Sequence, residues 1–267
     1  MLLKRRYVLI TGASSGIGEA TAHEVARRGG IPILVARRES ELIRVANAIR
    51  ERFGIEAIPF AADITSGADR NRIAIFAAKT GLHVLINNAG ITAHGRFDET
   101  DPSVLRNTME INFFAAIDLT RLLLPVMRNT PGEKSILLVS TPSGLFGMPG
   151  RFAYSASKAA AQAVMESIRI EHKADKIHTV IFCPGYTKTA LRTKGLAPDG
   201  SALREDQVPG AQTPERAAHL LVNAIEKRRR YAFTDLNGRG VFLLRSLCPP
   251  LLERLVAKKL RKDFEDN

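Results

Sequence analysis

Between residues 7 and 183 the chain alternates short, continuous apolar runs with longer stretches of helical periodicity. Tyr7–Thr11, Ile31–Ala36, Ile55–Ala61, His83–Asn87, Ser135–Ser140 and Ile177–Cys183 read as strands. Gly16–Arg28, Glu39–Phe53, Ser66–Lys79, about Pro102–Met127 and Arg151–His172 read as helices; in the second of these Leu42, Val45, Ala46 and Ile49 share one face. Strands apolar on both faces and separated by amphipathic helices require a parallel sheet covered on both sides. Right-handed crossovers then make that sheet doubly wound, a three-layer α/β/α arrangement. Past Pro184 the pattern weakens, and Thr187–Gly210, rich in Gly, Pro and charge, reads as a long loop. Thr213-Pro214-Glu215 opens another helix, with Thr as cap and Pro at the first helical position. No linker divides the 267 residues, so one domain over 1–267 is expected.

The segment after the first strand narrows the function. Thr11-Gly12-Ala13-Ser14-Ser15-Gly16-Ile17-Gly18 joins that strand to a helix, the context a phosphate-binding turn requires. Gly12 permits the tight turn, Gly16 lets the backbone approach a pyrophosphate, and Gly18 permits close helix–strand packing. Ser14, Ser15 and Ile17 fill the turn between them, and the helix N-terminus offers unpaired N–H groups to the phosphates. The spacing T-G-x-x-x-G-x-G differs from the G-x-G-x-x-G fingerprint of other dinucleotide sites. An NAD site normally places a carboxylate about 20 residues after the turn. Here the second strand ends in Val35-Ala36-Arg37-Arg38. A guanidinium can grip a 2′-phosphate that a carboxylate would repel. NADP(H) is therefore the expected cofactor, with Arg37 as main contact and Arg38 in support, and NAD(H) as the alternative. The competing reading pairs both arginines with Glu39 or Glu41 on the surface.

Tyr154 and Lys158 lie four apart on the expected helix, on one face and within mutual reach. A lysine ammonium about 4 Å away can lower a tyrosine pKa by up to roughly 3 units, towards the range useful for general acid–base work. A hydride carrier beside such a proton donor specifies carbonyl/alcohol oxidoreduction. An isolated Y-x-x-x-K is otherwise a common surface pair.

With the glycine turn, Asn87-Asn88-Ala89-Gly90, Tyr154/Lys158 and Pro184-Gly185, the chain resembles the short-chain dehydrogenase/reductase family over about Tyr7–Thr189. The resemblance implies a Rossmann-type domain and several further roles. Asp63-Ile64 would contact adenine. Asn88 would brace the sheet beside the adenosine ribose, next to Gly90. The backbone carbonyl of Asn112 would order a water in a proton relay to Lys158. Thr187 and Thr189, after Pro184 and Gly185, would hold the nicotinamide carboxamide. Tyr154 would be the general acid/base, with Lys158 holding the nicotinamide ribose. Thr141 stands where the family usually has a serine, 13 positions before Tyr154, and would orient the substrate oxygen. A threonine hydroxyl has the same donor and acceptor capacity, but its methyl and the adjacent Pro142 could pass that role to Ser143 or Ser140. Family members carry a substrate lid at about 190–212 and commonly form homodimers or homotetramers.

The remaining signals are weaker. Leu145, Phe146, Met148 and Phe152 fit either an apolar pocket for a small-molecule substrate or ordinary core. The lid charges Arg192, Lys194, Arg204, Glu205 and Asp206 name no substrate. Cys183 and Cys248 are expected as free thiols, and the six histidines have no metal-ligand spacing, so no metal is expected. Basic Lys4, Arg5 and Arg6 run straight into the first strand without a signal-peptide pattern, which together with the thiols leads us to expect a cytoplasmic chain. Net charge is +12, and residues 227–267 hold 11 Lys/Arg against 5 Asp/Glu, a balance that favours anionic partners. No motif or aromatic-interleaved basic stripe supports nucleic acid. In the basic/apolar extension at about 240–267, Leu251, Leu252, Leu255 and Val256 fall on one face of a short helix beside Lys258, Lys259, Arg261 and Lys262. Such a face packs on its own domain or a sister subunit, or else lies peripherally on a membrane. Two alternatives to a carbonyl reductase remain: a non-catalytic NADP(H)-sensing regulator, which would have no need of Tyr154 with Lys158, and a lipid-directed reductase held at a membrane surface.

Overall fold

The computed structural model describes residues 3–191, 195–203 and 210–265. Seven parallel strands form one sheet in the order β3-β2-β1-β4-β5-β6-β7. They are β1 (Tyr7–Thr11), β2 (Ile31–Ala36), β3 (Ile58–Ala61), β4 (Val84–Asn87), β5 (Lys134–Val139), β6 (Ile177–Cys183) and β7 (Tyr231–Phe233). The helices are α1 (Gly16–Arg27), α2 (Glu39–Phe53), α3 (Gly67–Thr80), α4 (Pro102–Met109), α5 (Ala115–Asn129), α6 (Phe152–Glu171), α7 (Pro214–Glu226), α8 (Leu236–Leu247) and α9 (Pro249–Glu265). Strand residues alternate between two cores. Val8 and Ile10 of β1 pack with α1, α2 and α7, while Leu9 packs with α3, α5 and α6. The expected doubly wound, Rossmann-type α/β/α fold is the one observed.

Four elements differ from the sequence expectation, each for a local reason. β3 starts at Ile58 rather than Ile55, because Gly54 ends α2 in a left-handed turn and pairing to β2 begins at Ile33↔Ile58. The single helix expected over 102–127 is broken by a π-helical turn at Glu110–Phe114, which carries Asn112. β7 has only three residues, too few to show a period. Finally, 195–203 is not free loop: Leu196 bridges Ala93 and Ala202, and its N–H donates to Thr92 O at 2.9 Å. The lid residues Arg192, Lys194, Arg204, Glu205 and Asp206 lie outside the described residues.

The chain reverses direction across the sheet between β1 and β4, paired at Ile10↔Ile86. Ligands of such sheets bind outside the strand C-termini at this switch point. The glycine turn leaves β1 there, and Asn88 to Gly90 leave β4 beside it.

Candidate active site

The glycine turn is shaped by its three glycines. Gly12 and Gly16 adopt φ +67° and +59°, the left-handed region that side chains disfavour. A Cβ on Gly18 would come 2.2 Å from Gly12 O and 2.6 Å from Asn88 Nδ2, so α1 can seat against the strand ends only without one. A Cβ on Gly16 would meet the Thr189 methyl at 3.0 Å, so Thr189, rather than Thr187, closes over the turn. Ser15 is the exposed N-cap of α1, yet its side chain accepts no capping hydrogen bond. The first α1 N–H groups, which have no partner inside the helix, are thus left for an anion. Glycine cradle, uncapped helix end and exposed serine fit a dinucleotide pyrophosphate.

Thr11 and Asn88 lock the switch point. Thr11 Oγ1 accepts the N–H groups of Asn88 and Ala89, each at 3.0 Å, and donates to Ile86 O. Asn88 Nδ2 donates back to Thr11 O at 2.8 Å. Asn88 and Thr11, the first residue of the glycine-turn motif, thus join the ends of β1 and β4.

At the end of β2, Arg38 Nη2 donates to Ser14 Oγ at 3.1 Å, while Arg37 is exposed. Among the described residues neither pairs with Glu39 or Glu41; Glu41 pairs instead with Arg44. Of the two arginines, Arg38 is the one brought to the turn. Asp63 Oδ1 accepts from Thr65 N–H and Thr65 Oγ1, and Ile64 is buried at the rim of the same strand ends.

The candidate proton-transfer pair, Tyr154 and Lys158, sits on α6. Lys158 is buried and its Nζ donates to Val139 O at 3.0 Å, while lying 6.0 Å from the Tyr154 ring centre. The expectation that this ammonium lowers the tyrosine pKa is corrected: burial raises Tyr154, and Lys158 is not among the groups that act on it. Burial dominates both groups, pushing Tyr154 up to about 12 and Lys158 down to about 8. The cation that acts on Tyr154 in the opposite sense is Arg151.

Asn112 arrives from the π-helical turn. Its Oδ1 accepts Ile91 N–H at 2.9 Å, and its Nδ2 donates to Ile91 O and to Ser157 Oγ. Ser157 in turn donates to Tyr154 O at 2.8 Å. The side chain of Asn112 thus ties the loop after β4 to α6. Gly90 lies between these parts: a Cβ there would come 2.7 Å from Asn112 Oδ1 and 3.3 Å from Lys158 Nζ.

The oxygen-orienting candidates separate by their partners. Ser140 is buried and its Oγ accepts from Gln162 Nε2 at 2.7 Å. Cys183, whose thiol burial pushes up to about 12, sits against the same Ser140. Thr141 caps the short 3₁₀ turn Pro142–Gly144 by accepting Ser143 N–H at 3.3 Å. That leaves the Thr141 hydroxyl hydrogen for another acceptor. Ser143 instead lines a cleft of about 370 Å³ on the flank of α6, with Phe146, Phe152, Ser155, Tyr231 and Arg245. Neither Tyr154 nor Lys158 lines that cleft. Leu145 belongs to the core beneath α6.

Beyond β6, Thr187 Oγ1 donates to Gly185 O and accepts from Gln212 Nε2 at 3.1 Å. Gln212 Nε2 also donates to Thr234 Oγ1, which accepts Gly185 N–H at 2.8 Å. A Cβ on Gly185 would strike Asp235, the N-cap of α8. Gln212, Thr234 and Asp235 are long-range partners of the Pro184-Gly185 segment, and nothing local in the sequence marks them. Ser157 and Gln162 carried a signal: each shares α6 with Tyr154 at helical spacing.

Comparison with known proteins agrees with this geometry. The short chain dehydrogenase family model matches residues 6–198. A Drosophila melanogaster dehydrogenase/reductase SDR family protein 7-like is 34% identical over 97% of this chain and 82% of its own length. The 11-beta-hydroxysteroid dehydrogenase A of Sesamum indicum is 31% identical over 93% of this chain and 73% of its own. A short chain dehydrogenase/reductase from Burkholderia phymatum, solved in complex with NAD, superposes with TM-score 0.83 over 94% of this chain and 96% of that one, at 23% identity, a likeness of fold. Sequence, strand order and the parts gathered around Gly90 lead to one family: the chain belongs to the short-chain dehydrogenase/reductase oxidoreductases.

Proposed function

We propose that the chain is an NADP(H)-dependent oxidoreductase that interconverts a carbonyl and an alcohol on a small apolar substrate, with Tyr154 as general acid/base. The observation that carries this reading is the meeting at Gly90, where the cofactor end of the sheet touches both Asn112 and Lys158. A bound nicotinamide dinucleotide would supply the hydride. Gly12, Ser14, Ser15, Gly16, Ile17 and Gly18 would hold its phosphates, Asp63 and Ile64 its adenine, and Asn88, Gly90 and Lys158 its riboses. Pro184, Gly185, Thr187 and Thr189 would flank the nicotinamide. Arg38 and Arg37, standing at the end of β2 where an NAD site would carry a carboxylate, favour a 2′-phosphate.

Tyr154, protonated at neutral pH, donates its proton to the substrate oxygen in reduction. Lys158, anchored on Val139 O, contributes positive charge beside the oxygen that accepts it. Thr141 donates its free hydroxyl hydrogen to the same substrate oxygen and fixes its direction. The apolar substrate class rests on a relative named for a hydroxysteroid.

NADPH consumption with a panel of apolar ketones and aldehydes, repeated with NADH, tests the proposal. Activity with NADPH, and a KM for NADPH raised about tenfold or more in Arg38→Ala with kcat held, supports it. Preference for NADH would remove the role given to the arginines.

A further inference from the structure

The C-terminal helices pack by one side only. In α8, Val241 and Phe242 join the core against Tyr231 and Phe233 of β7, and in α9 Leu252 is 3% exposed. The outer side carries Leu236, Leu243, Leu247, Leu251 and Leu255, exposed by 80, 55, 78, 44 and 49%. Their spacing of seven and then four keeps them in one row along each helix. The elbow joins the two rows, since Leu247, Cys248, Pro249, Pro250 and Leu251 are all exposed. Sequence alone favours packing of the α9 leucines on the domain, but Leu251 and Leu255 do not pack there.

The charges around this row have one sign. Arg239 lies a turn from both Leu236 and Leu243, and Arg254 and Lys258 lie a turn from Leu251 and Leu255; all three are exposed. The one acid between Leu236 and Lys258 is Glu253, which falls about 200° round α9 from Leu251. Exposed leucines edged by cations, with acids kept away, are complementary to acyl chains beneath anionic headgroups. No helix among the described residues is long and apolar enough to cross a membrane, so such contact is with its surface.

We propose that the α8–α9 elbow docks on an anionic lipid bilayer, Leu243, Leu247, Leu251 and Leu255 entering the interface and Arg239, Arg254 and Lys258 meeting headgroups. The docked helix lies against the substrate side of the molecule. A Cβ on Gly238 of α8 would meet Pro142, next to Thr141, at 3.3 Å. An apolar carbonyl compound dissolved in the bilayer is thereby presented beside the group that orients its oxygen.

Co-sedimentation of the full chain with phosphatidylglycerol/phosphatidylcholine vesicles and with pure phosphatidylcholine vesicles tests this. Three headgroup contacts predict binding on the order of 100-fold tighter to the anionic vesicles, weakening as salt rises. Leu247→Glu/Leu251→Glu should reduce that binding by about tenfold or more, with turnover of a water-soluble carbonyl unchanged. Leu243→Ser/Leu255→Ser provides the same measurement if the first variant melts lower than the native chain. Equal binding to both vesicles, binding retained in both variants, or no pelleting with self-association through these leucines would each overturn the proposal. Because vesicle binding is read without turnover, its failure is distinct from failure of the proposed reaction.

Discussion

In the proposed reaction Tyr154 would enter protonated, which sets the expected pH behaviour. With its pKa pushed up to about 12 by burial, the phenol is a donor throughout the neutral range. Carbonyl reduction is therefore expected to stay flat from pH 6 to about 7, below the Lys158 pKa, while alcohol oxidation, which needs the phenolate, climbs with pH. Initial rates in the two directions across that range check this; oxidation that falls as pH rises would contradict it. Lys158 has the opposite sign. Its folded pKa, about 8, lies below the ordinary 10.5, so the unfolded chain binds more protons between those values. Its contribution to stability accordingly rises with pH through that window. Thr141 is tested by a pair of variants: Thr141→Ser should keep activity within a few-fold, and Thr141→Val should lose about 100-fold in kcat/KM. An equal effect of both would take the oxygen-orienting role away from the Thr141 hydroxyl. These residue types and spacings stand in the sequence. Their partners do not: only the fold shows that Ser140 is held by Gln162, or that Lys158 bonds a strand carbonyl rather than leaning on Tyr154.

At the scale of elements, α1 must approach β1 and β4 closely enough for the uncapped helix end to reach an anion. Gly18→Ala places a methyl against Gly12 O and Asn88 Nδ2. It is expected to cost about 2 kcal/mol or more in unfolding free energy and to weaken dinucleotide binding. Chemical denaturation and a binding titration of that variant check both effects. The six longer strands are legible in the sequence because each reads as a continuous apolar run. β7 is not, being three residues long and held by pairing to β6 and by Phe242. The π-helical turn is equally hidden, since its apolar spacing continues that of the helices on either side. Yet it is this turn that presents Asn112 to Ile91 and Ser157.

For the whole molecule, the acid limit of stability has identifiable sources. Glu24 joins α1 to α7 through Arg28, which also pairs with Glu226 and donates to Asn223. Burial alone would raise the Glu24 pKa, but hydrogen bonds from Arg27 and Arg28 outweigh it and hold the carboxyl at about 2. Its stabilisation is present above its ordinary 4.5 and is lost as pH falls from there towards 2. Burial lowers His83 to about 4, so it opposes folding as pH drops from 6.5 through that value. Thermal midpoints should therefore fall in two stages below pH 6.5, and Glu24→Gln should flatten the lower stage while destabilising the neutral protein by roughly 2–3 kcal/mol. A single stage unchanged by the substitution would refute the α1–α7 linkage.

At that same scale the proposed reaction divides labour between the strand ends, which would bind the dinucleotide, and one side chain on α6, which would move the proton. It is tested most directly by comparing the native chain with Tyr154→Phe for both NADPH binding and NADPH-dependent reduction of an apolar ketone. The account predicts unchanged affinity for NADPH with reduction lowered by about 10²–10⁴-fold. Substantial reduction by Tyr154→Phe, with NADPH bound as before, would contradict it.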